Sequence, residues 1–337
     1  MTKPPVQAAK GERRDFRPGC ELLAATARVL SPVLLPCLLG CSTTQTLPPA
    51  PVAATQAERT AEQAAKLSAS QNWPAAAKEW KLAAERFELL NDQGREAVAL
   101  HNLAQAQREL GHAVAAQRLL EEAASLNEKL GRANEWWRNQ IALLQLEASS
   151  TDAAALHARF EQLAPAVEHL ADRSVRGLFL NELGLWRQSQ GNFTNAAACY
   201  LEAARLFARS GDPAGHAAAT ANLARLFEAR KNFEEALQHW RRVLEEFEKL
   251  ADPHGIACAL AGAGRSQLAA HKELPTAEEL LRRAARNYRL LQCAGETRAT
   301  LELLEQCLLA EGKKGEALSV QAELRDLAGH SGPSPAQ

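Results

Sequence analysis

One spacing recurs along this chain at steps near forty residues, and it constrains the fold more than any other feature. Its clearest copy is Leu183-Gly184, Gly191, Ala196, Tyr200 and Ala203. A second reads Leu103-Ala104, Gly111, Ala116, Leu120 and Ala123, and a third Leu223-Ala224, Lys231, Ala236, Trp240 and Val243. In all three the glycine slot is followed by a small residue, then a large apolar one, then another small one, at identical offsets. Weaker copies carry Ala76, Trp80 and Ala83, then Ala277, Leu281 and Ala284 after a small insertion near His271–Leu274, then Gly312 and Ala317. In the last copy Gln321 takes the large apolar slot, and the segment around Ala155 is the most degenerate. The reference alanines are 76, 116, 155, 196, 236, 277 and 317, at steps of 40, 39, 41, 40, 41 and 40. A period this regular over seven copies is the mark of a repeat architecture.

The pattern reads as two amphipathic helices per unit. They are joined at Gly111, Gly191 or Gly312, where a residue with positive φ ends the first helix. Small residues at Ala104, Gly184 and Ala224 let helix backbones approach, and Tyr200 and Trp240 fill the space beside them. One pair cannot bury its own apolar face, so neighbours must stack. Ala, Leu, Glu, Arg and Gln dominate, all good helix formers, while Val, Ile and Thr are sparse. The expected fold is therefore all-α, a solenoid of about seven stacked antiparallel helix pairs over residues 56–328, with a short tail at 329–337. Charged residues make up 23% and leave a net charge of −1, so there is no electrostatic footprint for nucleic acid.

These residues resemble tetratricopeptide repeats. The forty-residue step is similar to the longer variant found in kinesin light chains and in adaptors of the spindle-orientation machinery. Gly211-Asp212-Pro213-Ala214-Gly215 leading to Asn222-Leu223-Ala224, and Gly94-Arg95 leading to Asn102-Leu103-Ala104, carry that likeness. The resemblance implies a right-handed superhelix whose first helices line a concave groove that binds peptides or other proteins. In such domains an asparagine before the Leu-Gly or Leu-Ala step often clamps a peptide backbone. The matching positions are Asn102 and Asn222, and more loosely Asn139 and Asn181. His101, Gln105, Arg108, Glu182, Gln188, Arg225 and Glu228 fall on the same faces and complete the candidate partner-binding set. Adjacent helical positions diverge by about 100°, so one of Trp136-Trp137 is expected in the core and the other exposed as an anchor.

The first 55 residues differ from the rest. Lys3, Lys10, Arg13, Arg14 and Arg17 give a basic start, and the apolar run from Val29 to Gly40 has the size of a secretory signal core. Leu38-Leu39-Gly40-Cys41 resembles the lipobox of bacterial lipoproteins. That resemblance implies removal of residues 1–40, diacylglycerol on the Cys41 sulfur, and, with Ser42 following, sorting to the periplasmic face of the outer membrane. Residues 41–55 would then be a Thr/Pro/Ala-rich tether, reaching up to about 45 Å from the membrane.

No catalytic motif stands out, and neither enzyme activity, cofactor nor metal is expected. The nine histidines are scattered and read as surface residues, and carboxylate pairs such as Glu234-Glu235 and Glu245-Glu246 read as solvated faces. Cys199, Cys258, Cys293 and Cys307 read as buried free thiols, with Cys293–Cys307 the pair to test for a disulfide. The leading functional reading is an outer-membrane-anchored scaffold or adaptor, with roles in envelope assembly or secretion open to it. A regulatory sensor whose repeats bind a peptide or small ligand is the alternative, as is a cytoplasmic scaffold if the signal is false.

Overall fold

The structure, a computed structural model, describes residues 52–148 and 153–329. The signal segment, Cys41 and most of the tail lie outside the described residues. Among those described there are fourteen α-helices and no strands. The first six are α1 (Val52–Ala69), α2 (Trp73–Leu89), α3 (Gln93–Glu109), α4 (Ala113–Lys129), α5 (Ala133–Ala148) and α6 (Ala153–Glu168). Then come α7 (Arg173–Ser189), α8 (Phe193–Ser210), α9 (Pro213–Ala229) and α10 (Phe233–Leu250). The series ends with α11 (Pro253–Ala269), α12 (Leu274–Leu290), α13 (Ala294–Ala310) and α14 (Lys314–Gly329). They form seven consecutive pairs, running from Val52 to Gly329 among the described residues.

Two kinds of turn punctuate the series, each recurring with the repeat. Left-handed residues end the first helices at Gln71, Gly111, Gly191, Lys231, His271 and Gly312, and the second helices at Asn91, Gly131, Gly211, Ala251 and Gln292. Several first helices start on an aspartate whose carboxylate accepts an N–H of the first turn: Asp92 from Arg95, Asp172 from Val175, Asp212 from Gly215 and Asp252 from Gly255. A cap of this kind contributes about 1 kcal/mol. Pro213 and Pro253 follow two of these caps at the first helical position, where a missing N–H costs nothing. His271 and Glu273 both have positive φ, which accommodates the inserted residue that lengthens one step to 41.

The small–large–small triple is the core. Ala76, Ala116, Ala196, Ala236 and Ala277 have no exposed surface, and Trp80, Leu120, Tyr200, Trp240 and Leu281 are buried beside them. In the degenerate repeat the register differs from the sequence reading: Ala155 is exposed, and Leu156, Phe160 and Leu163 take the three slots. The reference positions become 76, 116, 156, 196, 236, 277 and 317, at steps of 40 except one of 41. A leucine in a slot elsewhere held by alanine disguised the alignment. In the last pair Gln321 is exposed and donates to Glu305, so the solenoid ends on a polar face.

Trp137 is buried and Trp136 half-buried against the same cluster, edge-on at 5.0 Å between centroids, so neither is a free anchor. Cys199, Cys258, Cys293 and Cys307 are buried free thiols. Cys293 caps the start of α13 and Cys307 lies in its last turn. Along one helix their separation is about 20 Å, which no disulfide spans.

Candidate functional site

Successive first helices pack on each other, α5 on α7, α7 on α9, α9 on α11 and α11 on α13. The second helices make no comparable contacts with one another among the described residues, and each meets the next pair through its first helix. The first helices are therefore the inner row of a curved stack. All the partner-binding candidates lie on four of them, α3, α5, α7 and α9.

On that row the polar side chains form a ladder from helix to helix. Arg108 of α3 donates to Gln145 of α5 at 2.5 Å, and the Gln145 amide donates to Glu182 of α7 at 2.9 Å. The Asn222 amide of α9 donates to Asn181 of α7 at 2.9 Å, while its oxygen accepts from Arg225 at 2.9 Å. Arg225 also reaches the Cys258 sulfur of α11 at 3.4 Å, and Arg265 of α11 donates to Glu228 of α9 at 2.8 Å. Gln145 and Arg265 escaped the sequence reading, although each stands forty residues beyond a chosen position, Gln105 and Arg225.

Several candidates also serve the core beneath them. Gln188 accepts from the Tyr200 hydroxyl at 2.9 Å, and Glu228 accepts from the Trp240 indole N–H at 2.8 Å and from Ser266 at 2.5 Å. Trp80 donates in the same way to Ser68 at 2.9 Å. Each acceptor precedes its aromatic residue by twelve, so a polar residue twelve before a Trp or Tyr in the large slot is the signal for this bond. Burial pushes the Tyr200 phenol far above its usual range, with Glu182 adding to the effect, so it remains a donor at any physiological pH.

Asn139 and Asn222 occupy different surroundings from those expected. Asn139 is 1% exposed, accepts from Asn127 at 2.9 Å and pairs with the Nδ1 of His101 at 3.0 Å. Its amide therefore fixes α5 against α3 and α4, and presents no group to the groove. In this network the Asn139 amide donates to Nδ1, which leaves the His101 proton on Nε2. Burial, then Arg138 and Arg108, pushes the imidazole down to about 4, so it is neutral at pH 7. His101, Gln105, Arg108 and Gln145 together line a small crevice between α3 and α5. Asn222 is also buried, whereas Asn102, half-buried, donates to the Val98 carbonyl of its own helix at 3.0 Å. Asn222→Ala is thus expected to lower stability by about 1–3 kcal/mol, because Asn181 and Arg225 lose a partner in a nearly closed site. Urea denaturation checks this, and an unchanged midpoint would show the amide to be dispensable.

The histidines are less uniformly superficial than expected. His254 is 6% exposed and edge-on to Tyr288, and His216 of α9 pairs with Glu246 of α10 at 2.8 Å. The hydrogen bond to Glu246 raises the His216 pKa above 6.5 against the opposing effect of burial. A folded-state value above the unfolded one adds stability that is complete below pH 6.5 and fades as pH rises through the raised value. The stability difference between the wild type and His216→Gln should therefore be larger at pH 5.5 than at pH 8. Paired urea melts at the two pH values measure it, and a difference that grows with pH would contradict the assignment.

The described helices form an α-solenoid of stacked pairs whose first helices carry a polar inner row. The sequence model of the tetratricopeptide repeat matches residues 176–239, which run from α7 into α10. Among solved structures the chain is similar to BtubC (BKLC) from P. vanneervenii, at 19% identity and TM-score 0.56, over 68% of this chain and 95% of that one. It is also similar to the apo form of the quorum sensor NprR from B. thuringiensis, at 13% identity and TM-score 0.59, over 82% of this chain and 77% of that one. A Rap protein complexed with Competence and Sporulation Factor aligns at 13% identity and TM-score 0.55, over 81% and 76%. At these identities the likeness is one of fold. No curated protein matches the sequence. Among the described residues no helix is long and apolar enough to cross a membrane, and no group of His, Cys, Asp and Glu is arranged to hold a metal ion.

Proposed function

We propose that this chain is a binding scaffold that holds a segment of another protein along the inner row of first helices, and that a lipid on Cys41 tethers it to the periplasmic face of the outer membrane. The observation that carries the binding half is the polar ladder from Arg108 to Arg265. Its side chains are held in fixed positions by one another. Side chains whose rotamers are already fixed lose little entropy on meeting a ligand. The tether half rests on the sequence alone, on Leu38-Leu39-Gly40-Cys41 after an apolar run.

A photo-crosslinking residue placed at 102, on the inner row, should give discrete adducts in cells. The same group at 117, exposed on α4, should give none. Identical patterns from both positions would remove the groove as the site. Independently, Cys41→Ser should abolish palmitate labelling and release the protein from membranes. Retained labelling would remove the tether.

A sensor is the second reading, because two of the similar folds are a quorum sensor and a Rap protein solved with Competence and Sporulation Factor. The mass of the adduct at 102 separates the two: a short peptide supports the sensor, a whole protein the scaffold.

A further inference from the structure

One contact joins parts of the chain that the repeat order keeps far apart. The Cys293 thiol donates to the Gln71 side-chain oxygen at 3.0 Å, across 222 residues. Gln71 sits in the turn between α1 and α2, in the first pair. Cys293 sits in the turn between α12 and α13, where the sixth pair meets the seventh. In a stack whose units touch only their neighbours, these turns would never meet. They meet because the curvature of the array brings its two ends round to one another.

The donor end of the contact is built into the core. Cys293 is 5% exposed, its backbone N–H donates to the Tyr288 carbonyl at 2.9 Å, and its side chain packs with Tyr288, Ala257 and Leu260. Burial pushes the thiol up to about 11, with Glu296 adding, so the sulfur keeps its proton and can donate at neutral pH. The acceptor end is a residue with φ of 56°, in a turn slot that three other repeats fill with glycine.

We propose that this contact latches the solenoid into a closed turn. The latch stands on the 71–293 geometry alone. Closure also predicts that the first pair and the sixth–seventh junction are coupled directly, without passing through the pairs between them.

The full chain tests the latch without any knowledge of the partner. Gln71→Cys places a second thiol beside Cys293. Dibromobimane then bridges the two as each sulfur displaces one bromide, and fluoresces once both arms have reacted. The expected product is a single peptide pair containing residues 71 and 293, absent from the Gln71→Cys, Cys293→Ser double variant and from a Gln117→Cys control. The reaction is run at about pH 9.5 or above, where part of the Cys293 thiol, raised to about 11, is ionised and can attack. Labelling at 71 with no bridge to 293 then overturns the latch.

Gln71→Gly gives a second measurement that cannot fail through misfolding of the turn, because glycine relieves the positive φ while removing the acceptor. Amide exchange at 291–296 should rise about fivefold, the equivalent of one ordinary hydrogen bond, while α5 to α8 stay unchanged. Exchange that is unchanged at 291–296, or raised evenly along the chain, overturns the direct coupling. These outcomes are independent of the adducts at 102, so the latch and the binding surface stand or fall separately.

Discussion

Trp240→Ala is expected to cost about 3–5 kcal/mol of stability, the largest loss from any single truncation in this chain. Trp240 has no exposed surface and is the bulkiest of the fully buried side chains. Its indole N–H donates to Glu228 at 2.8 Å, and the Arg225 guanidinium lies 5.5 Å from the ring centroid. Truncation therefore opens a cavity and removes one contact from each of two charged groups of the inner row, although Arg225 keeps its bond to Asn222. Glu228 still holds Arg265 and Ser266, so the damage centres on packing. In a stack of units the break should spread to the neighbouring pairs before the ends. Urea denaturation gives the total, and amide exchange should locate the earliest opening in α9 to α12. Trp240→Phe keeps most of the ring volume and should lose much less. A cost below about 1 kcal/mol for the alanine variant would mean that the site collapses freely, contrary to close packing between the two helices.

Most of this architecture was legible because its rule is one-dimensional. A small–large–small triple repeated every forty residues states where each second helix packs, and the buried Ala196, Tyr200 and Ala203 follow it. The rule faltered where Leu156 replaced the alanine, since an exposed Ala155 next to it offered a false match. The inner row was legible only in part. Asn102 and Asn222 hold equivalent slots, yet one bonds within its own helix and the other is buried against the preceding repeat. The difference lies 41 residues upstream, where Asn222 finds Asn181 and Asn102 finds Ala61. Surroundings set by the previous unit decide whether a polar side chain faces a ligand or a neighbour, and a slot taken alone omits them. The 71–293 contact was beyond reach for a stronger reason. It depends on the summed curvature of the intervening pairs, and no local pattern encodes that sum.

Gly262→Ala tests one of the closest approaches in the stack, and here packing should overturn helix propensity. Within a helix this change ordinarily gains about 1 kcal/mol. Gly262 lies inside α11, but a Cβ added there would stand 2.3 Å from Trp240 Cε2 and 2.6 Å from Cδ2 and Cζ2. Carbon atoms in contact prefer about 3.5–4.0 Å, so either the ring or the helix has to move. The ring is fully enclosed and tied to Glu228, which leaves displacement of α11 from α10. A net loss of about 1–3 kcal/mol is expected in urea denaturation. Gly295 provides the control, since a Cβ there meets nothing within 4 Å, and alanine at that position should be neutral or stabilising. The same clash makes a cycle informative. On the Trp240→Ala background the added methyl enters a cavity instead of a ring, so its cost should vanish or reverse. A coupling of about 1–3 kcal/mol between the two sites follows. Additive losses would mean that glycine and ring do not touch, and that the approach of α11 to α10 has another cause.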